Sequence, residues 1–214
     1  MRKNRFNILF GLMFSAMFFG GGLLFSLSAE GGGGFLDKSY GVAKFMYSPG
    51  ADYEHSGHVI TGESAMGLGF DLGYKIMDSV SAELAFSYGS NSISKEDHTA
   101  TDSTPTHSMF PLMATGTLSG TGTYLAIGLL GVYTYHINEQ FSAVGKFGFV
   151  SESETLSWDT GDESASSTGV VYVLGGEYVL GGHNELVLEY EGSTVEGPKG
   201  ANIFIGWKTG FGGH

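Results

Sequence analysis

The chain has 214 residues, 36 of them glycine, no cysteine and a formal charge of −12. That length suits one domain of modest size. The missing thiols exclude disulfides, thiolate-ligated zinc, a thiol nucleophile and a lipid-modified N-terminal cysteine, and an acidic chain without a basic patch excludes nucleic acid as a partner.

At the N-terminus Arg2, Lys3 and Arg5 form a basic region, followed by an apolar run from Phe6 to Leu27. Ser26-Leu27-Ser28-Ala29 supplies small residues for cleavage after Ala29, so residues 1–29 read as a signal-peptide helix. The run is also long enough to stay as an uncleaved inner-membrane helix, but Gly20-Gly21-Gly22 interrupts it. Residues 30–38, with Gly31–Gly34, read as a flexible leader, and residues 39–214 as the folded domain. Removing the first 29 residues leaves seven bases against 22 acids.

From there strand-like runs alternate with two kinds of connection. Tyr40–Tyr47 sets Ala43, Phe45 and Tyr47 on one face and Lys44 and Met46 on the other. A connection of Gly, His and acids runs to Gly62. Gly67–Gly89 then splits into two strands around Ile76-Met77-Asp78-Ser79. Leu68, Phe70, Leu72 and Tyr74 share one face of the first strand, while glycines, Asp71 and Lys75 share the other. On the second, Ala82, Leu84, Phe86 and Tyr88 alternate with Ser81, Glu83, Ala85 and Ser87. The longest connection, Ser90–Gly122, is polar apart from Met109-Phe110-Pro111-Leu112-Met113. The later runs are Thr123–Tyr135, Phe141–Ser151, Gly169–Tyr178, Glu185–Glu191 and Ala201–Phe211. The acidic connection Glu152–Ser167 lies between the second and third of these.

These eight runs are joined by alternately long and short connections. That alternation predicts an all-β, eight-stranded antiparallel up-and-down barrel with its short turns and both ends at one rim. The small, charged face points to a narrow lumen and the apolar face to lipid. Tyr74, Tyr133, Tyr135, Phe141, Tyr178 and Phe211 fall near the short-turn rim, and Tyr47, Tyr88 and Phe149 near the other, as aromatic belts do. By the alternation, Lys44, Asp71, Glu83, Lys146, Glu177, Glu189 and Lys208 point inward. In a lumen just wide enough for side chains, they are expected to form one salt-bridged network. Three lysines against four acids fit a filled plug better than a selective pore. The alternative is a conduit whose ion pairs exchange partners.

GFDLGYKIMDSVSAELAFSYG, the GKFG of Gly145–Gly148, GGEYVLGGHNELVLEYE and the closing GWKTGF resemble small outer-membrane β-barrel proteins of Gram-negative bacteria. These are the OmpA transmembrane domain, OmpX and the broader porin family. The resemblance covers nearly all of residues 39–214. It implies export to the outer membrane of the cell and insertion by the barrel-assembly machinery, which reads the last strand through Trp207, Thr209 and Phe211. Here Gly212-Gly213-His214 follow Phe211, a departure from the family pattern. A peptidoglycan-binding periplasmic domain of the OmpA kind is not expected. The implied partners are outer-membrane lipid and lipopolysaccharide around a monomer.

Enzymes among such barrels use a His-x-Ser motif, whereas His55-Ser56 and His107-Ser108 are adjacent pairs in connections, so no catalytic residue is assigned. His55, His58, His98 and His107 are the candidate metal ligands, but their spacing is not diagnostic. No cofactor is expected. Two functional readings follow: a structural barrel with a filled lumen, and a recognition module that binds ligands through Ser90–Gly122 and Glu152–Ser167. A narrow small-solute channel is a third.

Overall fold

The computed structural model describes residues 34–55, 58–97 and 116–212. The signal peptide and its cleavage point, His98, His107 and Met109–Met113 lie outside the described residues. A 3-10 turn, Leu36–Lys38, leads into ten strands. They are β1 (Ser39–Ser48), β2 (Asp52–His55), β3 (His58–Gly62), β4 (Ala65–Met77), β5 (Val80–Asp97), β6 (Gly116–His136), β7 (Phe141–Trp158), β8 (Gly161–Gly181), β9 (Asn184–Ser193) and β10 (Asn202–Gly210).

Eight of them close a ring. β1 pairs with β4 on one side and β10 on the other, and every neighbour from β4 through β10 is antiparallel. Closure leaves no sheet edge at the level of the ring, which hydrocarbon demands because it offers backbone amides no partner. Among the described residues no helix is long and apolar enough to cross a membrane. The outer face carries the apolar surface: Leu129, Phe147, Phe149, Leu174, Leu188 and Ile205 are all more than half exposed. Leu129 turns outward and Leu130 inward, while Val171 is buried in the lumen, which resolves the two strands whose apolar pairs leave the register open in sequence.

The short turns use the chemistry their residues allow. β4 and β5 join through Asp78 and Ser79, with Met77 opposite Val80. Between β6 and β7, the Asn138 Oδ1 accepts from the backbone N–H of Gln140 and Phe141 at 2.8 and 2.9 Å, an Asx turn. Gly182, with φ of +61°, bends β8 into β9.

Two long connections differ from expectation. Ser90–Gly122 is read as a connection, yet β5 continues to Asp97 and β6 begins at Gly116, with Ser90–Asp97 and Gly116–Thr123 paired residue for residue. Glu152–Ser167 is likewise a hairpin, with β7 and β8 paired up to Trp158 opposite Gly161. The physical reason is solvent. Above the lipid the outward positions are Ser153, Thr155 and Ser157, so apolar alternation stops while backbone pairing does not. Only the inward side stays apolar there: Ile60, Ile93, Leu156 and Trp158 form a buried cluster above the ring. The β2–β3 hairpin, also within a predicted connection, adds to β5 through Ile60, Thr61 and Gly62.

Glycine makes room for the lumen side chains. Gly73 lies opposite Tyr40, and a Cβ there would overlap the tyrosine ring. A Cβ at Gly206 would press on the Ala43 carbonyl and Lys44, and one at Gly69 would crowd the Lys44 chain. The expected consequence of the outer apolar band is depth-dependent. Phe147→Arg should lower the folding free energy in lipid vesicles by about 2–4 kcal/mol, while Ser153→Arg should leave it unchanged, as read by urea titration of the folded band on unheated gels.

Candidate functional site

Among the described residues the buried charges gather in the lumen, which is built in layers. Along β1, alternation turns Tyr40, Val42, Lys44 and Met46 inward, in rising order from the short-turn rim. Nearest that rim, Lys208 Nζ meets Glu177 Oε1 at 2.7 Å and Glu185 Oε2 at 3.0 Å. Above it lie Tyr40, Val42 and Val187, all buried, with Lys208 over the Tyr40 ring at 4.8 Å.

The central layer holds five charges. Lys146 Nζ sits 2.5 Å from Glu83 Oε2, 2.7 Å from Glu189 Oε1 and 3.3 Å from Asp71 Oδ2. Lys44 Nζ reaches Asp71 Oδ2 at 2.7 Å and Glu189 Oε2 at 3.2 Å. Tyr40 donates its hydroxyl to Glu83 Oε1 at 2.8 Å. β4, β5, β7, β9 and β1 each contribute one charged member, so the cluster links strands from around the whole ring. A second apolar layer, Met46, Ala65, Tyr124 and Phe204, covers it, and Lys44 stands 4.4 Å from the Phe204 ring centroid.

The uppermost polar layer has no counterpart in the sequence expectations. The loop between β9 and β10, residues 194–201, folds down into the mouth of the barrel. Pro198 and Lys199 are buried there, and Lys199 Nζ pairs with Glu152. Backbone contacts hold the loop: Ala51 N–H donates to Pro198 O at 3.0 Å, and the Ser48 hydroxyl donates to Lys199 O. Gly200 turns the chain with φ of +71°. Lys199 is the only lysine or arginine between Lys146 and Lys208, and that isolation is the signal in the sequence that could have found it.

The seven inward charges named from sequence are therefore all buried in the lumen, but they form two separate clusters instead of one network. Tyr40 and Val42 stand between the clusters, and Glu185 belongs to the lower one. Of the aromatic positions, Tyr47, Tyr135, Phe141 and Phe149 are exposed on the outer face. Phe141 packs on Tyr178 with ring centroids 4.8 Å apart, and Phe35 stacks on Tyr74 at 5.2 Å. Tyr88 lies on the same outward register, between Phe86 and Ser90. Trp207 is outward and donates its Nε1–H to Asn184 Oδ1 at 3.1 Å. Phe211 follows the last residue of β10; its backbone N–H still donates to Ser39 O at 2.9 Å, and its ring lies over Gly41. His55 and His58 are register partners across the β2–β3 turn. Among the described residues no group of three or more His, Asp or Glu side chains is placed to hold a metal ion.

At the mouth, beyond the lipid-facing part of β7, burial and the neighbouring Glu152 push the Glu154 carboxyl up to about 7. An acid held above its ordinary value destabilises the fold once it must ionise. That penalty is absent below pH 4.5 and complete above about 7. Glu154→Gln is thus expected to be more stable than the parent above pH 7, with the difference disappearing on acidification below 4.5, read as urea midpoints across pH. Lys146→Ala leaves Glu83 without a cation and Asp71 and Glu189 with Lys44 alone, and should cost about 3–5 kcal/mol in the same measurement. Lys146→Met combined with Glu83→Gln should recover part of that loss.

Residues 28–211 match the family described as outer membrane protein beta-barrel domain. Among solved structures, neisserial surface protein A aligns with a TM-score of 0.53 at 12% identity, covering 81% of this chain and 97% of that one. Ail, the attachment invasion locus protein of Yersinia pestis, aligns at 0.48 and 15%, covering 81% and 98%. The N-terminal barrel domain of Pseudomonas aeruginosa OprF aligns at 0.44 and 15%, covering 81% and 97%. No curated protein sequence matches the chain. A closed eight-stranded ring, greasy outside and charged within, and a family match over almost its full length lead to one conclusion: this chain belongs to the outer membrane protein beta-barrel domain family and is an integral protein of the outer membrane.

Proposed function

We propose that this barrel is a non-enzymatic structural and surface element of the outer membrane rather than a pore. The observation that carries the reading is the layered lumen. Among the described residues, buried apolar clusters lie between and beside three ion-paired ones, so a hydrated ion crossing the barrel has to part both kinds. Separating one buried pair costs several kcal/mol, and the central cluster contains five such contacts. Export runs through removal of residues 1–29 and insertion by the barrel-assembly machinery, with Trp207, Thr209 and Phe211 as the signal. The barrel then works as a monomer surrounded by lipid and lipopolysaccharide.

Surface recognition is the second reading, and a specific feature favours it. Residues 161–168 of β8 are exposed along their whole length and pair as a strand only with β7, with Glu163 reaching across to Lys95 at 3.8 Å. A rigid base that raises polar segments into the medium is how scaffolds present binding residues.

Purified protein in a planar bilayer is expected to pass no steady current, and stepwise conductance would overturn the structural reading. Protein recovered from the outer-membrane fraction should migrate faster unheated than boiled, with a mass that begins at Glu30. Shortening the β7–β8 hairpin between Ser153 and Ser166, or deleting Thr104–Thr115, should leave that gel shift intact. If it also leaves attachment of whole cells to surfaces unchanged, recognition through these segments is excluded.

A further inference from the structure

The polar layer under the β9–β10 loop is short of positive charge. Glu152 and Glu154 both turn inward from β7, and Lys199 is paired with the first of them. Glu154 Oε1 is buried without a hydrogen-bond partner among the described residues, and so are the Tyr124 hydroxyl and Asn91 Oδ1. Tyr124 is 2% exposed and Asn91 4%. These groups share one level of the lumen. Tyr124 is the direct cross-strand partner of Glu154, and Asn91 is that of Gly122, two residues before Tyr124 on the same face. The loop closes over them: Gly197 lies against the Glu154 carboxylate, Asn91 Nδ2 donates to Pro198 O at 3.4 Å, and Lys199 Nζ stands 5.2 Å from the Tyr124 ring centroid. Beneath, the Met46, Ala65, Tyr124 and Phe204 layer seals the floor.

We propose that these grouped oxygens form a binding site for a hard divalent cation of the calcium or magnesium class, and that Lys199 is a tethered competitor for it. The donor chemistry is all oxygen: two carboxylates, a phenol and an amide carbonyl, with no nitrogen or sulfur ligand offered. One ammonium against two carboxylates leaves a formal negative charge enclosed by protein, whereas a divalent ion in its place neutralises both. The exchange has a mechanical result. Ser48, Ala51 and Asn91 also hold the loop through its backbone, so a cation that takes over Glu152 and Glu154 removes the ion pair that ties the loop to β7 and loosens it around Lys199. The site thereby couples divalent ion at the cell surface to the shape of that surface. It is separate from the acidic groove on the outside of the loop, of about 350 Å³, which Asp52, Glu54 and Glu196 line.

The experiment uses the folded protein in phosphatidylcholine vesicles, with terbium as the probe and tyrosine or tryptophan excitation as the readout, at pH 7.5. Saturable luminescence that calcium displaces is expected, sensitised by Tyr124 and Trp158. Lys199→Met removes the competitor and should tighten binding by about tenfold or more, and Glu154→Gln should weaken it by about tenfold or more. Calcium should also speed trypsin cleavage after Lys199 in the parent protein and not in Glu154→Gln. The gel shift on heating checks that each variant is folded. An unchanged signal in Glu154→Gln, or no gain in Lys199→Met, overturns the proposal and leaves water as the occupant. Loss of the signal in a combined Asp52→Asn, Glu54→Gln and Glu196→Gln variant overturns it in favour of adventitious binding in the outer groove. A trypsin rate indifferent to calcium overturns the loosening of the loop.

Discussion

Hydrocarbon gives a peptide group nothing to bond with, and that constraint shapes this molecule more than any side chain does. A sheet placed in lipid must satisfy its own edges, and the pairing of β1 with both β4 and β10 does so. Once the ring is closed, each residue has only two destinations. Odd positions of β1 above Gly41 meet lipid and even ones meet the lumen, and the same two-residue period governs the other seven strands. Aromatic and aliphatic surface that would be a liability on a soluble protein is here the solvated side.

The inward half of each strand then faces a packing problem. Eight strands enclose a space that side chains must fill, and this chain fills it with lysines and acids set between glycines. Dehydrating an ammonium is costly, which is why Lys44 and Lys146 each touch at least two carboxylates and why Tyr40 supplies a hydroxyl to Glu83. The glycines opposite them are part of the same solution. Tyr40 needs the space at Gly73, and Lys44 the space beside Gly69 and Gly206. Stacking cations over aromatic rings, as Lys208 does over Tyr40, lets polar and apolar layers meet without leaving a charge bare.

Above the lipid the ladder continues into water under different rules. β5, β6, β7 and β8 run well past the membrane, and their outward residues become serine, threonine and acid because water now covers them. A reading based on apolar alternation stops at that boundary, which is why Glu152–Ser167 reads as a connection although it is a hairpin. Ile93, Leu156 and Trp158 carry the residual signal, isolated apolar residues on the inner side near the strand tips.

Within each strand, local periodicity was enough to establish the barrel, the number of its strands, the side from which its short turns hang and the seven charges that turn inward. These follow from the two-residue period and from connection length, both local properties of a chain. What only the tertiary structure decided is which charges meet. The separation of Lys208, Glu177 and Glu185 from the central cluster depends on the stagger between strands, which places Tyr40 and Val42 between them, and no single strand encodes it. The burial of Lys199 depends on a loop folding back across the mouth, where Ser48, Ala51 and Asn91 from distant strands hold its backbone. Contacts over more than a hundred residues of chain are set by closure of the ring, and a linear pattern carries no information about them.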